Sequence, residues 1–231
     1  MIFLNVLVEG STELRFVKSV LGPHLGAMNI FALPIAVLTS KDNRLSREFR
    51  GGIQSYLQVK ADLLRLLRRD GSKDNYWYTT MIDLYRLPLD FPGYDPARGI
   101  NNSLQRVNYL ENEFGKDVNH HRLIPYIQLH EYEALVLSDT NGFSFFYEEH
   151  EYADGIRRLH DLVIRYSSPE EINEGITTAP SKRIIAEIPR YEDDKANVGP
   201  LIVGHIGLPN VRAKCPHFND WLTRIEGLEG I

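Results

Sequence analysis

Cysteine is nearly missing from this 231-residue chain: Cys215 stands alone. That excludes an intrachain disulfide and any cysteine-rich zinc site, and it suits a reducing, cytoplasmic compartment. Long apolar runs are missing too. Nothing approaches the ~20 consecutive apolar residues a bilayer-spanning helix needs. The apolar opening at residues 1–8 is short and has no basic segment before it, so no secretory signal and no membrane partner are expected. Positive charge is not in excess either. Lysine and arginine total 26 against 31 acidic residues, a net charge of −5. That argues against coating nucleic acid by bulk electrostatics, while leaving room for a nuclease with acidic ligands beside a local basic face. There is no internal repeat, no low-complexity tract, no Gly-x-Gly-x-x-Gly fingerprint and no P-loop lysine. No Ser-His-Asp or Cys-His arrangement stands out.

What is present is an α/β pattern with enough apolar residues to bury a core. Residues 2–8 are continuously apolar, as in a strand buried on both faces of a parallel sheet. Thr12 is placed to cap a following helix. Residues 30–38 read as a second strand, which Pro34 demotes towards an edge. Residues 39–53 read as a polar surface loop carrying Lys41, Arg44, Arg47 and Arg50. A helical stripe over 54–69 ends at Arg68-Arg69-Asp70-Gly71. Residues 76–82 form a third strand that ends at Asp83, 86–100 a long loop, 102–115 a helix, and 123–129 a fourth strand that ends at His130-Glu131. Alternating strands and helices predict a mainly parallel, doubly wound sheet. The strand signal then fades. Residues 145–165, 169–175, 181–188 and 217–226 read as helical, and 191–195 as a polar segment. The expected organisation is an α/β domain over 1–138 and a helical C-terminal extension over 139–231 packed on the same core.

Acidic residues recur at one structural position. Glu9 follows the first strand, Asp83 the third, and Glu131 with Glu133 the fourth. Strand C-termini of an open parallel sheet lie along one edge, where ligands bind. Clustered carboxylates repel one another unless a cation neutralises them, and oxygen-only donors select Mg²⁺ or Mn²⁺ over zinc. Glu9, Asp83, Glu131 and Glu133 are therefore the candidate metal ligands, and the first three the catalytic acids together with Lys182 as the charge-stabilising base pair to phosphate. Gly10, Ser11 and Thr12 open a helix whose free amides suit an anion, and Lys195 is a further phosphate-binding candidate. Lys182, Arg183, Arg190, Lys195 and Arg212 would make a phosphate-facing rim if they folded over the sheet edge; a solvated helical face is the other reading. Glu13 reads as a capping or dipole-compensating acid, with membership of the site as the alternative. His130 is open between a general acid or ligand and a boundary histidine.

The segment Val8-Glu9-Gly10-Ser11-Thr12-Glu13 resembles the first motif of TOPRIM domains. The resemblance covers about residues 1–135 and implies Mg²⁺ binding through Glu9 and an Asp-x-Asp pair after a later strand. Tyr85 stands where the second aspartate of that pair would be, so Asp83 carries the motif alone, with Asp90 or Asp95 as substitutes. More of the chain resembles the bacterial family catalogued as domain of unknown function 4276. The likeness rests on that first segment, on Met81-Ile82-Asp83-Leu84-Tyr85, on Leu129-His130-Glu131-Tyr132-Glu133-Ala134-Leu135, and on Pro180-Ser181-Lys182-Arg183 onward through Tyr191, Lys195, Gly199 and Pro200 to Cys215-Pro216-His217-Phe218. These resemblances imply a TOPRIM/Rossmann-like fold and an anti-phage setting. Two functions follow as expectations. One is a Mg²⁺- or Mn²⁺-dependent nuclease or phosphoesterase acting on nucleic acid. The other is a non-catalytic effector or sensor that docks on a partner ATPase of AAA or ABC type encoded nearby. A homo-oligomer is compatible with either. Nucleotide binding on a Rossmann-like sheet ranks below both for want of the glycine fingerprint.

Overall fold

The apolar run Ile2–Val8 forms β1, which lies between two parallel partners, β2 (Ile30–Ala36) and β5 (Tyr76–Asp83). A strand in that position has both faces covered, which explains the absence of polar alternation. The computed structural model describes residues 1–42, 47–50, 52–70, 72–172, 175 and 177–228, with the backbone alone at 38–42, 47–50 and 149. The main sheet runs β2-β1-β5 and then a short strand, β6 (Leu123–Ile124), and all its pairings are parallel. Pro34 sits opposite Val6 on β2, the edge strand, where a missing N–H is tolerated.

Two sequence expectations change here. The fourth strand is broken by Pro125, which supplies no donor to a ladder, into β6 (Leu123–Ile124) and β7 (Ile127–Gln128); both pair with β5. The expected loop at 39–53 contains an antiparallel hairpin, β3 (Leu38–Asp42) with β4 (Arg47–Arg50). Lys41, Arg47 and Arg50 lie in those strands, and Arg44 lies outside the described residues.

Helices cover both faces. On one side α3 (Tyr56–Asp70), the short α4 (Tyr94–Ala97) and α5 (Ser103–Val118) enclose a core that includes Leu63, Leu87, Leu110 and Phe114. Asn102 caps α5 by accepting from Gln105 N at 2.9 Å. On the other side α1 (Ser11–Phe16) continues through a π turn (Val17–Leu21) into α2 (Gly22–Gly26). The same side carries α6 (Glu133–Val136), α7 (Glu149–Val163), α8 (Pro180–Glu187), α9 (Tyr191–Ile206), α10 (Leu208–Lys214) and α11 (Pro216–Glu226), of which α9 packs directly on α1.

The C-terminal helices share one apolar cluster with β1 and α1, in which Val6, Phe16, Tyr191, Val203 and Trp221 all take part. Trp221 Nε1 also donates to Thr79 Oγ1 on β5 at 2.8 Å. The segment read as polar at 191–195 is the first turn and more of the 16-residue α9. Of the helix expected at 169–175, a single 3-10 turn forms at Pro169–Glu171; residues 173, 174 and 176 lie outside the described residues. Among the described residues, no helix is long and apolar enough to cross a membrane.

Candidate functional site

Glu9 is the first residue beyond β1, but it is still stitched to β5: its N–H donates to Met81 O at 3.3 Å. Its carboxylate reaches back across the strand end, where Oε2 accepts from Asp83 N at 3.3 Å. Asp83 is the last residue of β5. The ends of β5 and β7 are held together beyond the ladder, with Leu84 N donating to Gln128 O at 2.9 Å and Tyr85 N to His130 O at 2.8 Å. That brings Glu131 and Glu133 to the same edge. Glu131 is buried, and its Oε2 accepts from Ser181 N at 2.8 Å in the first turn of α8. Glu133 is buried on the first turn of α6.

Glu13 joins this group. Its Oε2 accepts from Gly10 N at 2.9 Å, closing the first turn of α1, and its side chain is buried. The helix starts at Ser11 with Gly10 as its cap, so Thr12 does not cap it. Gly10 has extended backbone, and a Cβ there would stand 3.3 Å from Glu13 Oε2. The close approach of Glu13 is what limits the side chain at this position.

The charges of five carboxyl groups thus act on one another at this edge. Burial holds Glu9 above the ordinary carboxylate range, and the charge of Glu131 adds to it. Burial pushes Glu13 up to about 7, with Glu9 as the main repelling charge. Glu133 rises to about 8 through burial and then Glu131. Asp83 lies well above its usual range, first from burial and then from Glu13, Glu9, Glu133 and Glu131. Asp83 is partly buried as a residue, yet its Oδ1 is shielded and has no hydrogen-bond partner among the described residues. Lys195, on α9, is the basic residue whose charge offsets Glu9, Glu13 and Glu133. The buried hydroxyls of Tyr132 and Tyr191 also lack hydrogen-bond partners among the described residues. Among the described residues, no group of three or more His, Cys, Asp or Glu side chains is spaced to hold a metal ion.

Residues 8–226 match the family model described as Domain of unknown function (DUF4276). The chain belongs to this family. The matched span opens at Val8, one residue before Glu9, and closes at Glu226, the last residue of α11. All five carboxylates and Lys195 therefore lie within the family domain, as do the C-terminal helices that share the core with β1. No curated protein and no solved structure matches the chain.

Other expected site residues lie elsewhere. Lys182 is exposed on α8 and lines a groove with Arg158, Arg165 and Arg183, outside the carboxylate group. Gly10 has its amide engaged by Glu13, and Ser11 and Thr12 open a turn crowded with acids, an unfavourable place for a phosphate. Asp90 accepts from Ser55 Oγ at 2.5 Å and Tyr56 N at 2.8 Å at the start of α3. Asp95 is exposed on α4. Arg190 pairs with Asp194 at 3.2 Å and Arg212 with Glu226 at 2.6 Å. His130 is lowered to about 4 by burial and then by the Arg106 charge, so it is neutral near pH 7 and unsuited to act as a protonated acid. The sequence favours a cap for Glu13 with site membership as the alternative, and the structure shows it as both; nothing in the sequence assigned a role in the site to Tyr132, Tyr191 or the three arginines that line a cavity with His130.

Proposed function

We infer that the acidic edge is a divalent-cation site and that the protein is a Mg²⁺- or Mn²⁺-dependent phosphoesterase acting on nucleic acid, on a TOPRIM-like domain. The observation that carries the reading is Asp83. A carboxyl oxygen shielded from water, without a donor among the described residues and repelled by four other acids, is an energetic liability that a cation would remove. The donor set fits a hard cation, since Glu9, Asp83, Glu131 and Glu133 offer only oxygen. Glu13 is close enough to act on Glu9 and Asp83. Bound there, Mg²⁺ would supply charge neutralisation and Lewis acidity towards a phosphoryl oxygen.

The chain's own groups then have distinct parts. Glu9 ties the two strand ends by accepting from Asp83 N, and Glu9 and Asp83 would offer oxygens to the cation. Glu133, held up to about 8 in the metal-free site, would give up its proton as the cation binds, which ties cation affinity to pH. Lys195 supplies the positive charge that faces a phosphate from the α9 side.

The test is cleavage of plasmid and single-stranded DNA and RNA by purified protein with Mn²⁺ or Mg²⁺, beside the Glu9→Gln and Asp83→Asn variants. Cleavage lowered at least about 100-fold in both supports the reading; cleavage that survives Glu9→Gln ends it.

A second reading, a non-catalytic effector docked on a partner ATPase, is favoured by Tyr85. It occupies the position of the second TOPRIM aspartate, its amide is committed to His130 O, and Arg86 lies over its ring at 5.3 Å. Co-elution with the neighbouring ATPase, with no cleavage under any divalent cation, would select this reading instead.

A further inference from the structure

Beside the carboxylates, on the opposite face of the sheet edge, lies a cavity of about 190 Å³. Leu87 and Leu110 in its wall belong to the core under α3–α5, whereas Tyr132 and Tyr191 near the carboxylates belong to the other. Its polar lining is Arg86, Arg98, Arg106, His130, Tyr85 and Tyr94, with no acidic residue. In a chain of net charge −5, three arginines lining one small cavity are a local reversal of sign. No described carboxylate pairs with any of the three, although many of the chain's other basic residues are paired. Arg106 Nε is shielded from water and has no hydrogen-bond partner among the described residues. A buried guanidinium nitrogen left without an acceptor is a costly arrangement unless something supplies one.

The backbone at this cavity is unusual as well. Arg86 and His130, both non-glycine, have left-handed φ values of 61° and 62°, and both line the cavity. Such conformations persist where the surrounding structure holds them, and they aim side chains that a relaxed chain would point elsewhere.

We propose that this cavity is a phosphate-binding site, in which Arg86, Arg98 and Arg106 grip a single phosphate group. Guanidinium forks match phosphate oxygens in pairs, and their charge does not titrate away. The volume is below the roughly 300–1,000 Å³ of pockets that take drug-sized ligands, and it suits one tetrahedral anion. That anion arrives as inorganic phosphate, as a small phosphate ester, or as the terminal phosphate of a nucleic-acid strand. The site stands whether or not the acidic edge holds a cation.

The test keeps the two sites apart by using the full chain in EDTA at fixed ionic strength. Inorganic phosphate is titrated by calorimetry. Labelled oligodeoxynucleotides with a 5′-phosphate or a 5′-hydroxyl are titrated by fluorescence anisotropy. Saturable phosphate binding, weakened about tenfold in Arg98→Gln and in Arg106→Gln, is the expected result. A preference for the 5′-phosphorylated strand, lost in the same variants, supports a strand end as the source. Phosphate binding with no such preference supports the free anion or a small ester. Arg98 is exposed, so its variant keeps the fold even if Arg106→Gln does not. Wild-type protein that shows no saturable phosphate binding, or binding unchanged in Arg98→Gln and any folded Arg106→Gln, overturns the proposal.

Discussion

Glu13 carries two duties that pull against each other. As a cap it is well placed, since Gly10 N needs an acceptor and Oε2 supplies one at 2.9 Å. As a buried acid among four others it resists ionisation, which is why its pKa lies near 7. Glutamine keeps the cap and removes the charge. Glu13→Gln is therefore expected to raise the stability of metal-free protein at pH 8 by about 1–3 kcal/mol and to change it little at pH 5. Urea unfolding at the two pH values decides this; an equal loss at both would leave Glu13 as a cap and nothing more. Lys195 shows the same dependence on surroundings. In sequence it is equivalent to Lys182, yet its charge acts on Glu9, Glu13 and Glu133 while Lys182 faces another groove.

At the scale of elements, the site depends on how closely α9 approaches α1. The approach passes through Gly199: a Cβ there would stand 3.0 Å from Tyr191 Oη, 3.5 Å from Tyr132 Cε1 and 3.8 Å from Thr12 Cγ2. Gly199→Val forces those rings and α1 to move, and overpacking of this kind costs about 1–3 kcal/mol. The same shift withdraws Lys195 from the carboxylates. The expected outcome is a lower urea midpoint with an altered Mn²⁺ affinity by calorimetry; a stable variant with wild-type affinity would show that α9 does not set the site. Gly199-Pro200 is also why α9 is hard to read in sequence. A Gly-Pro pair inside 16 residues looks like a break, and here Pro200 is accommodated within the helix.

For the whole molecule, the carboxylates tie stability to pH. Glu13 and Glu133 have folded pKa values near 7 and 8 against 4.5 for the free side chain, so the folded state holds more protons than the unfolded state between those limits. Their contribution is complete below about pH 4.5 and is lost as pH rises through about 8. Metal-free protein is therefore expected to melt at a lower temperature at pH 8 than at pH 5.5, and millimolar Mn²⁺ to restore most of the difference at pH 8. A melting temperature that rises over this interval in EDTA would contradict the burial of these acids. The shared core makes a second statement. Because β1, α1 and the C-terminal helices bury one another, thermal unfolding should show one transition, and a chain ending at residue 138 should not fold.

Sequence alone determined the parts of this protein that depend on neighbours along the chain. The apolar run before Glu9, the aromatic and β-branched run before Asp83 and the strand before Glu131 each place an acid at a strand end, and a parallel sheet gathers such ends on one edge. The family likeness was legible for the same reason, because its motifs are short and local. Tertiary structure decided what depends on the facing element. It buried Glu13 and chose Lys195 over Lys182. It gathered Arg86 from a loop, Arg98 from the turn after α4 and Arg106 from α5 into one cavity. Charge at a helix surface carries no signal of what will face it; that is set when helices pack on the sheet and water is excluded, and only then do desolvation and the nearest opposite charge select which acids and bases act together.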